Sequence, residues 1–328
     1  MAAQGYDYII VGAGSAGCVV ANRLSADPAC RVLLLEAGGS DRNFWLKLPV
    51  GYYRTIYNPR FSRLFKTEPG EGTGGRSILW PRGRVLGGSS SINGLIFIRG
   101  QPEDFDDWDR LGASGWSYRE LLPYFRRYER YRGGDSQYHG GFGEFEVSDL
   151  RNSNRASAAW VEAGVEYGLP RNPDFNGETT FGVGTYQLGI GRHWRSSSAS
   201  AFLKPIADRR NLTIITGAQV SKVRFAGRTA TGVEWIAGGK EHSAQADREV
   251  ILSGGALQSP QILQLSGIGP AELLRGLGIP VVADAPEVGG NLQAHYQARW
   301  TARLKERISL NDQVRNPVEL AKTGMLSM

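Results

Sequence analysis

The chain has 328 residues, 41% of them hydrophobic and 21% charged, which is the composition of one large or two ordinary globular domains and excludes a disordered chain. A net charge of +6 invites a nucleic-acid surface, but the arginines of "PRFSRLF", "RYERYR" and "GRHWR" are scattered, acids such as "PEDFDDWDR" lie among them, and no basic helical face forms, so nucleic-acid binding is not expected. No run is long and apolar enough to cross a bilayer, no signal-peptide pattern opens the chain, and the two cysteines make no disulfide framework; a cytoplasmic setting is expected.

The first predicted element is "YDYIIVG", whose continuous Ile9, Ile10 and Val11 read as a strand covered on both faces. A helix over "SAGCVVANRLSAD" follows, with Ala16, Val20 and Leu24 on one row, then a strand "RVLLLEAGG" that ends in Glu36. This is a βαβ unit with a glycine turn, "GAGSAG", at its first corner. Gly12 permits the tight turn, Gly14 lets backbone approach a pyrophosphate, and Gly17 lets the helix pack close to the strand. The helix N-terminus offers N–H groups and partial positive charge to phosphates. Glu36 can accept from ribose hydroxyls and would repel a 2′-phosphate. FAD and NAD both remain open at this point. Cys18, inside the helix, reads as a buried, inert thiol.

The next informative stretch is "WPRGRVLGGSSSINGLIFIRG", from Trp80 to Gly100. Gly87, Gly88 and Ser89 predict a second turn that presents N–H and hydroxyl donors, and Asn93 could bond a polar ring edge. A flavin has acceptors for such a turn along its pyrophosphate, ribityl chain and ring, whereas a nicotinamide has little need of one. The alternative is a glycine-serine loop that caps a core helix.

The same residues resemble the glucose-methanol-choline (GMC) oxidoreductases. "GRVLGGSSSINGLIFIRGQPEDFD" is similar to that family's first signature and "GALQSPQILQLSGIG" to its second, with "YHGGFGEFEV", "DFNGETTFGVGTYQ" and "NLTIITGAQVSKVRF" in family order between them. The likeness runs from Tyr6 to about His295 and includes the "GGSS-x-ING" of choline dehydrogenases and related alcohol dehydrogenases. It implies an α/β fold, an FAD-binding Rossmann-like parallel sheet with a partial α+β substrate-binding domain. It also implies FAD, with Gly12, Gly14, Ser15, Gly17, Glu36, Val85, Gly87, Gly88, Ser89, Asn93, Gly94, Leu95, Ile96, Gly255 and Ala256 at the cofactor and the backbone of Val220 at the adenine. Relatives that anchor FAD covalently carry histidine immediately before the asparagine; Ile92 stands there, so noncovalent FAD is expected.

Further along, "GWSYRELLPYFRRYERY" has Ser117 and Glu120 in capping-box spacing, with Leu121, Phe125 and Tyr128 on one face. His139 and His193 read as isolated and give no metal site. "REVILSGGALQSPQILQLSGIGP" predicts a buried strand at Val250 to Leu252, a Gly254-Gly255 turn, and a helix capped by Ser259, begun by Pro260 and ended by Gly267. In "EVGGNLQAHY" the family's aspartate is Ala294, and His295 reads as structural.

These elements predict a first part of the FAD domain over 1–132, a substrate-domain portion over 133–210, a return to the FAD domain over 211–295, and the start of further substrate domain over 296–328. The implied chemistry is oxidation of a small-molecule alcohol at CH–OH by hydride transfer to flavin. The family's base is a histidine in a His-Pro-x-Gly-Thr type segment, and none of the four histidines lies in one, so no catalytic residue is assigned and the chain is expected to be an N-terminal portion. The alternatives are a flavin-binding module without turnover and an NAD-dependent dehydrogenase. The particular alcohol and the electron acceptor are not legible.

Overall fold

A computed structural model describes residues 5–151, 154–294, 301, 303–306 and 308. The chain divides into two compact units, Met1–Asn93 with Ser197–His295 and Gly94–Ser196 with Tyr296–Met328. The sequence had placed these boundaries near 132 and 210. Two contacts move them earlier. The helices Pro102–Arg110 and Tyr118–Tyr128 share one aromatic cluster, Phe105 with Tyr118 and Phe125, and so belong together in the second unit. Ala199–Leu203 is buried in the first unit, where the Asn22 side chain donates to the Phe202 carbonyl at 2.8 Å.

The first unit is built on a six-stranded sheet. Its strands in chain order are β1 (Gly5–Val11), β2 (Val32–Glu36), β3 (Leu212–Thr216), β4 (Gln219–Ala226), β5 (Thr229–Ala237) and β6 (Lys240–Leu252), arranged β4-β5-β6-β1-β2-β3. β6, β1, β2 and β3 run parallel, and β4, β5 and β6 form an antiparallel meander. The apolar runs of β1 and β2 take the centre: Ile9, Ile10, Val32, Leu33 and Leu34 are fully buried, as strands covered on both faces require. Val250 and Leu252 of β6 are only half-buried, contrary to the expectation of a buried strand, because Leu252 borders the open groove described below.

Helix α1 (Ser15–Leu24) starts directly after the first glycine turn. The row expected to pack, Ala16, Val20 and Leu24, is not the buried one. Gly17, Cys18, Ala21 and Asn22 face inward, and Ala16 is exposed. Small residues win that face because the helix lies so close to the sheet: a Cβ on Gly17 would overlap the Gly12 carbonyl oxygen. Helix α2 spans Gly255–Leu265, with Gly254 at its N-cap. The sequence had started it at Ser259-Pro260; Pro260 instead lies inside the helix. The positive φ of 84° at Gly255 lets the chain turn into the helix five residues sooner. Gly267, at φ 90°, follows its end as expected.

The second unit holds short strand pairs, Glu129–Tyr131 with Phe145–Val147 and Ile96–Phe97 with Gln187–Leu188, beside the helices Pro102–Arg110, Tyr118–Tyr128 and Arg155–Glu166. The Tyr118 helix has its expected start, with the Ser117 hydroxyl donating to Glu120 at 2.7 Å. Among the described residues no helix is long and apolar enough to cross a membrane.

Candidate functional site

The site is a groove of about 670 Å³ at the C-terminal ends of β1, β2 and β6, in the first unit. That is where ligands sit in parallel α/β sheets, and the volume is within the roughly 300–1,000 Å³ of ordinary small-molecule sites.

Its first wall is the turn after β1. Gly12, at φ 100°, adopts a conformation open to glycine, and a Cβ there would lie 2.5 Å from the Ser253 carbonyl oxygen. The Gly12 N–H donates to the Leu35 carbonyl and the Ser253 N–H to the Val11 carbonyl, so the ends of three strands are tied at one level. No side chain caps the first turn of α1, and Gly14, Ser15 and Ala16 line the groove. Gly254, Gly255 and Ala256, at the likewise uncapped start of α2, line it too. Two helix N-termini therefore present partial positive charge to one space, which suits an anionic ligand.

The second wall is the turn at Gly87–Ser91. The Gly87 N–H donates to the Ala13 carbonyl at 2.8 Å, and a Cβ on Gly88 would sit 2.7 Å from the Gly14 Cα. The two glycine turns, more than seventy residues apart in sequence, are thus in direct backbone contact. Gly87 and Gly88 hold φ of 87° and 55°, which the neighbouring side chains of the turn could not adopt cheaply. The serines divide their work. The Ser90 and Ser91 hydroxyls donate within the turn, to the Gly87 and Leu86 carbonyls, whereas the Ser89 hydroxyl accepts from the Gly83 N–H and Ser89 lines the groove.

Glu36 closes the floor. Its carboxylate accepts from the Ala13 N–H at 2.9 Å and the Gly38 N–H at 2.8 Å. Burial pushes this carboxyl above its usual range, while the same N–H groups and the charge of Arg84 pull against that rise. Ala13 is held from both sides, since its carbonyl also accepts from the Cys18 thiol at 3.2 Å. Burial moves that thiol up to about 12, so Cys18 is the inert cysteine the sequence predicts.

Of the residues singled out in the sequence, Gly12, Gly14, Ser15, Glu36, Gly88, Ser89, Val220, Gly255 and Ala256 line this one groove. Gly17, Val85 and Gly87 lie behind its lining: Gly17 at the helix–strand contact, Val85 buried with Leu46, Phe61 and Ile92, and Gly87 in the bond to Ala13. Asn93 is exposed, its N–H bonded to the Ser89 carbonyl. Gly94, Leu95 and Ile96 fall in the second unit, where Leu95 is buried at φ 70°, a backbone strain of about 1–3 kcal/mol for such a residue. His295 lies outside the described residues. Sequence reasoning missed Arg82 and Arg84, which bring positive charge to the lining; the spacing "PRGR" just before the second turn was the available signal. It also read His139 as isolated, whereas both ring nitrogens are within 2.9 Å of carboxylates, those of Glu129 and Asp174.

The family model described as GMC oxidoreductase matches residues 6–297. The oxygen-dependent choline dehydrogenase of Photobacterium profundum is 44% identical over 311 residues, 94% of this chain and 55% of its own length. The alcohol dehydrogenase [acceptor] of Pseudomonas putida is 47% identical over 293 residues, 88% of this chain and 53% of its own. The solved FAD-dependent oxidoreductase of Chaetomium thermophilum superimposes with a TM-score of 0.80 at 33% identity, covering 86% of this chain and 51% of that one. The chain spans about half the length of the relatives it matches. On the family match, the sheet and the joined glycine turns, this chain belongs to the GMC oxidoreductase family.

Proposed function

We propose that the first unit holds FAD noncovalently and that the chain is the flavin-binding portion of an enzyme that oxidises the CH–OH group of an alcohol. The observation that carries this reading is the contact of the Gly12–Gly17 and Gly87–Ser91 turns on one groove. The backbone there is shaped for a close ligand. A Cβ on Gly255 would meet nothing within 4 Å, and one on Gly14 only the Ser253 oxygen at 3.8 Å, so both glycines leave a phosphate room to reach peptide N–H groups. The names of the dehydrogenase relatives support an alcohol as substrate class, and that of the Chaetomium neighbour supports FAD.

Bound FAD supplies a two-electron acceptor for the hydride that leaves the alcohol carbon. The residues of this chain bind and orient. With FAD bound, the starts of α1 and α2 and the Gly88-Ser89 peptides would hold the pyrophosphate, Glu36 would accept from ribose, and the Val220 backbone would border the adenine. Arg84 adds a counter-charge. Ile92, 2% exposed among Leu46, Phe61 and Val85, offers no atom for a covalent link to flavin. None of the described histidines lines the groove, so the base that takes the hydroxyl proton is assigned to no residue here.

The test is a titration of the purified chain with FAD, followed by acid precipitation. One flavin per chain, released to the supernatant by acid, is the expected result, with no turnover of primary alcohols by this chain alone. Flavin retained in the pellet would overturn the noncovalent assignment, and NAD binding without FAD uptake would favour the nicotinamide alternative. Arg84→Met should weaken FAD about tenfold, the effect of one charge-assisted contact, and should lower the salt dependence of binding.

A further inference from the structure

The second unit contains a buried charged cluster that the flavin groove does not use. Glu129, 0% exposed, sits at the start of the strand Glu129–Tyr131. One of its oxygens accepts from the Arg99 guanidinium at 2.7 Å and the Gly140 N–H at 3.0 Å; the other faces His139 Nδ1 at 2.9 Å. The other ring nitrogen, Nε2, faces Asp174 at 2.9 Å. A neutral imidazole carries one N–H, so it could satisfy only one carboxylate and would turn a lone pair on the other. Glu129 is held ionised by Arg99. Against the upward push of burial, the bonds Asp174 accepts hold its carboxyl below the usual range, so contact at 2.9 Å on both sides needs the imidazolium. Arg99 and the imidazolium together then balance Glu129 and Asp174.

We propose that His139 is a proton-operated clasp that, as the imidazolium between Glu129 and Asp174, fastens the segment from Pro170 to Gln187 to the strand Glu129–Tyr131. Asp174 is the hub of that segment. It accepts from the Gln187 side chain at 2.8 Å and the Asn176 N–H at 3.0 Å, and Asn176 in turn accepts from the Arg99 N–H. Loss of the proton leaves Glu129 with Arg99 and Gly140, wholly enclosed. The Asp174 side, 33% exposed, is the one that gives way.

The other groups beside His139 are Tyr131, whose ring lies tilted against the imidazole with centroids 4.3 Å apart and whose hydroxyl donates to Asp149, and Arg126, which donates to the His139 backbone carbonyl and pairs with Asp135. Burial moves the Tyr131 hydroxyl up to about 12, leaving it neutral across the working range. Burial by itself would lower the His139 pKa, but the hydrogen bonds and charges of Glu129 and Asp174 outweigh it and leave it raised. The sign follows. A raised folded-state value means the clasp is fully closed below the ordinary histidine value of about 6.5 and is lost as pH rises through the raised one.

The experiment is amide hydrogen exchange of the full chain across pH 6 to 9, corrected for intrinsic rates and read by mass spectrometry. Peptides over 170–187, whose Asn172 and Val183 N–H groups are bonded within the segment, should lose protection with rising pH, at no more than about tenfold per unit. Peptides of β1 and β2 should not follow. In Asp174→Asn the amide can donate to a neutral ring, so the pH dependence of 170–187 should vanish while the segment stays protected. Protection of 170–187 that ignores pH in the native chain, a parallel loss in β1 and β2, or an unchanged pH dependence in Asp174→Asn would each overturn the clasp.

Discussion

Replacing Gly88 by alanine is expected to weaken FAD binding on the order of a hundredfold. The added Cβ would lie 2.7 Å from the Gly14 Cα, a contact with backbone that no rotamer change relieves. Overpacking of this kind costs about 1–3 kcal/mol, and the left-handed φ of 55° adds about 1–2 kcal/mol for a non-glycine residue. At about 1.4 kcal/mol per decade the sum of about 2–5 kcal/mol corresponds to roughly 1.5 to 3.5 decades in affinity. Gly227→Ala, outside the groove, is the control. Its Cβ has open space at a φ of 60°, so only the φ penalty applies and FAD affinity should stay near the native value. Flavin fluorescence titration measures both. Equal affinities for Gly88→Ala and the native chain would mean that the two turns do not jointly shape the site.

The second large effect is expected at Arg99. Arg99→Met removes the guanidinium from a Glu129 carboxylate that has no access to water and leaves the cluster of Glu129, His139 and Asp174 one positive charge short; breaking a buried pair in this way costs about 3–5 kcal/mol. The same change at Arg171, whose partner Glu162 and itself are half exposed, should cost no more than about 1 kcal/mol. Urea unfolding followed by tryptophan fluorescence separates the two, with the midpoint shifting sharply for Arg99→Met only. The double variant Arg99→Met/Glu129→Gln should recover a large share of the loss, because no orphan charge remains. Failure to recover would point to the lost contact with Phe125, whose ring centroid lies 5.4 Å from the Arg99 guanidinium carbon, instead of to the Glu129 pair.

The two effects arise in separate units and test separate physics. The first concerns how near two backbones can come. The second concerns how a carboxylate survives without water. The Arg99 pair also bears on the His139 clasp, since Glu129 holds both cations; in Arg99→Met the imidazolium becomes its sole charged partner among the described residues.

The sequence by itself determined the parts whose physics is local. A run such as Ile9-Ile10-Val11 reads as a strand of a covered sheet, and glycines spaced as in Gly12, Gly14 and Gly17, set between that strand and a helix, specify a turn. The long GMC signatures carried the family in the same way. Tertiary structure alone decided the contacts between distant segments: that Gly88 meets Gly14, that Arg84 stands near Glu36, that α1 buries Cys18 and Ala21 and leaves Ala16 exposed, and that His139 is clasped by Glu129 and Asp174, ten residues before it and thirty-five after. The reason is that backbone preference is a property of neighbouring residues. A side chain's partner depends instead on where the folded chain returns, and that is set by packing of the whole unit.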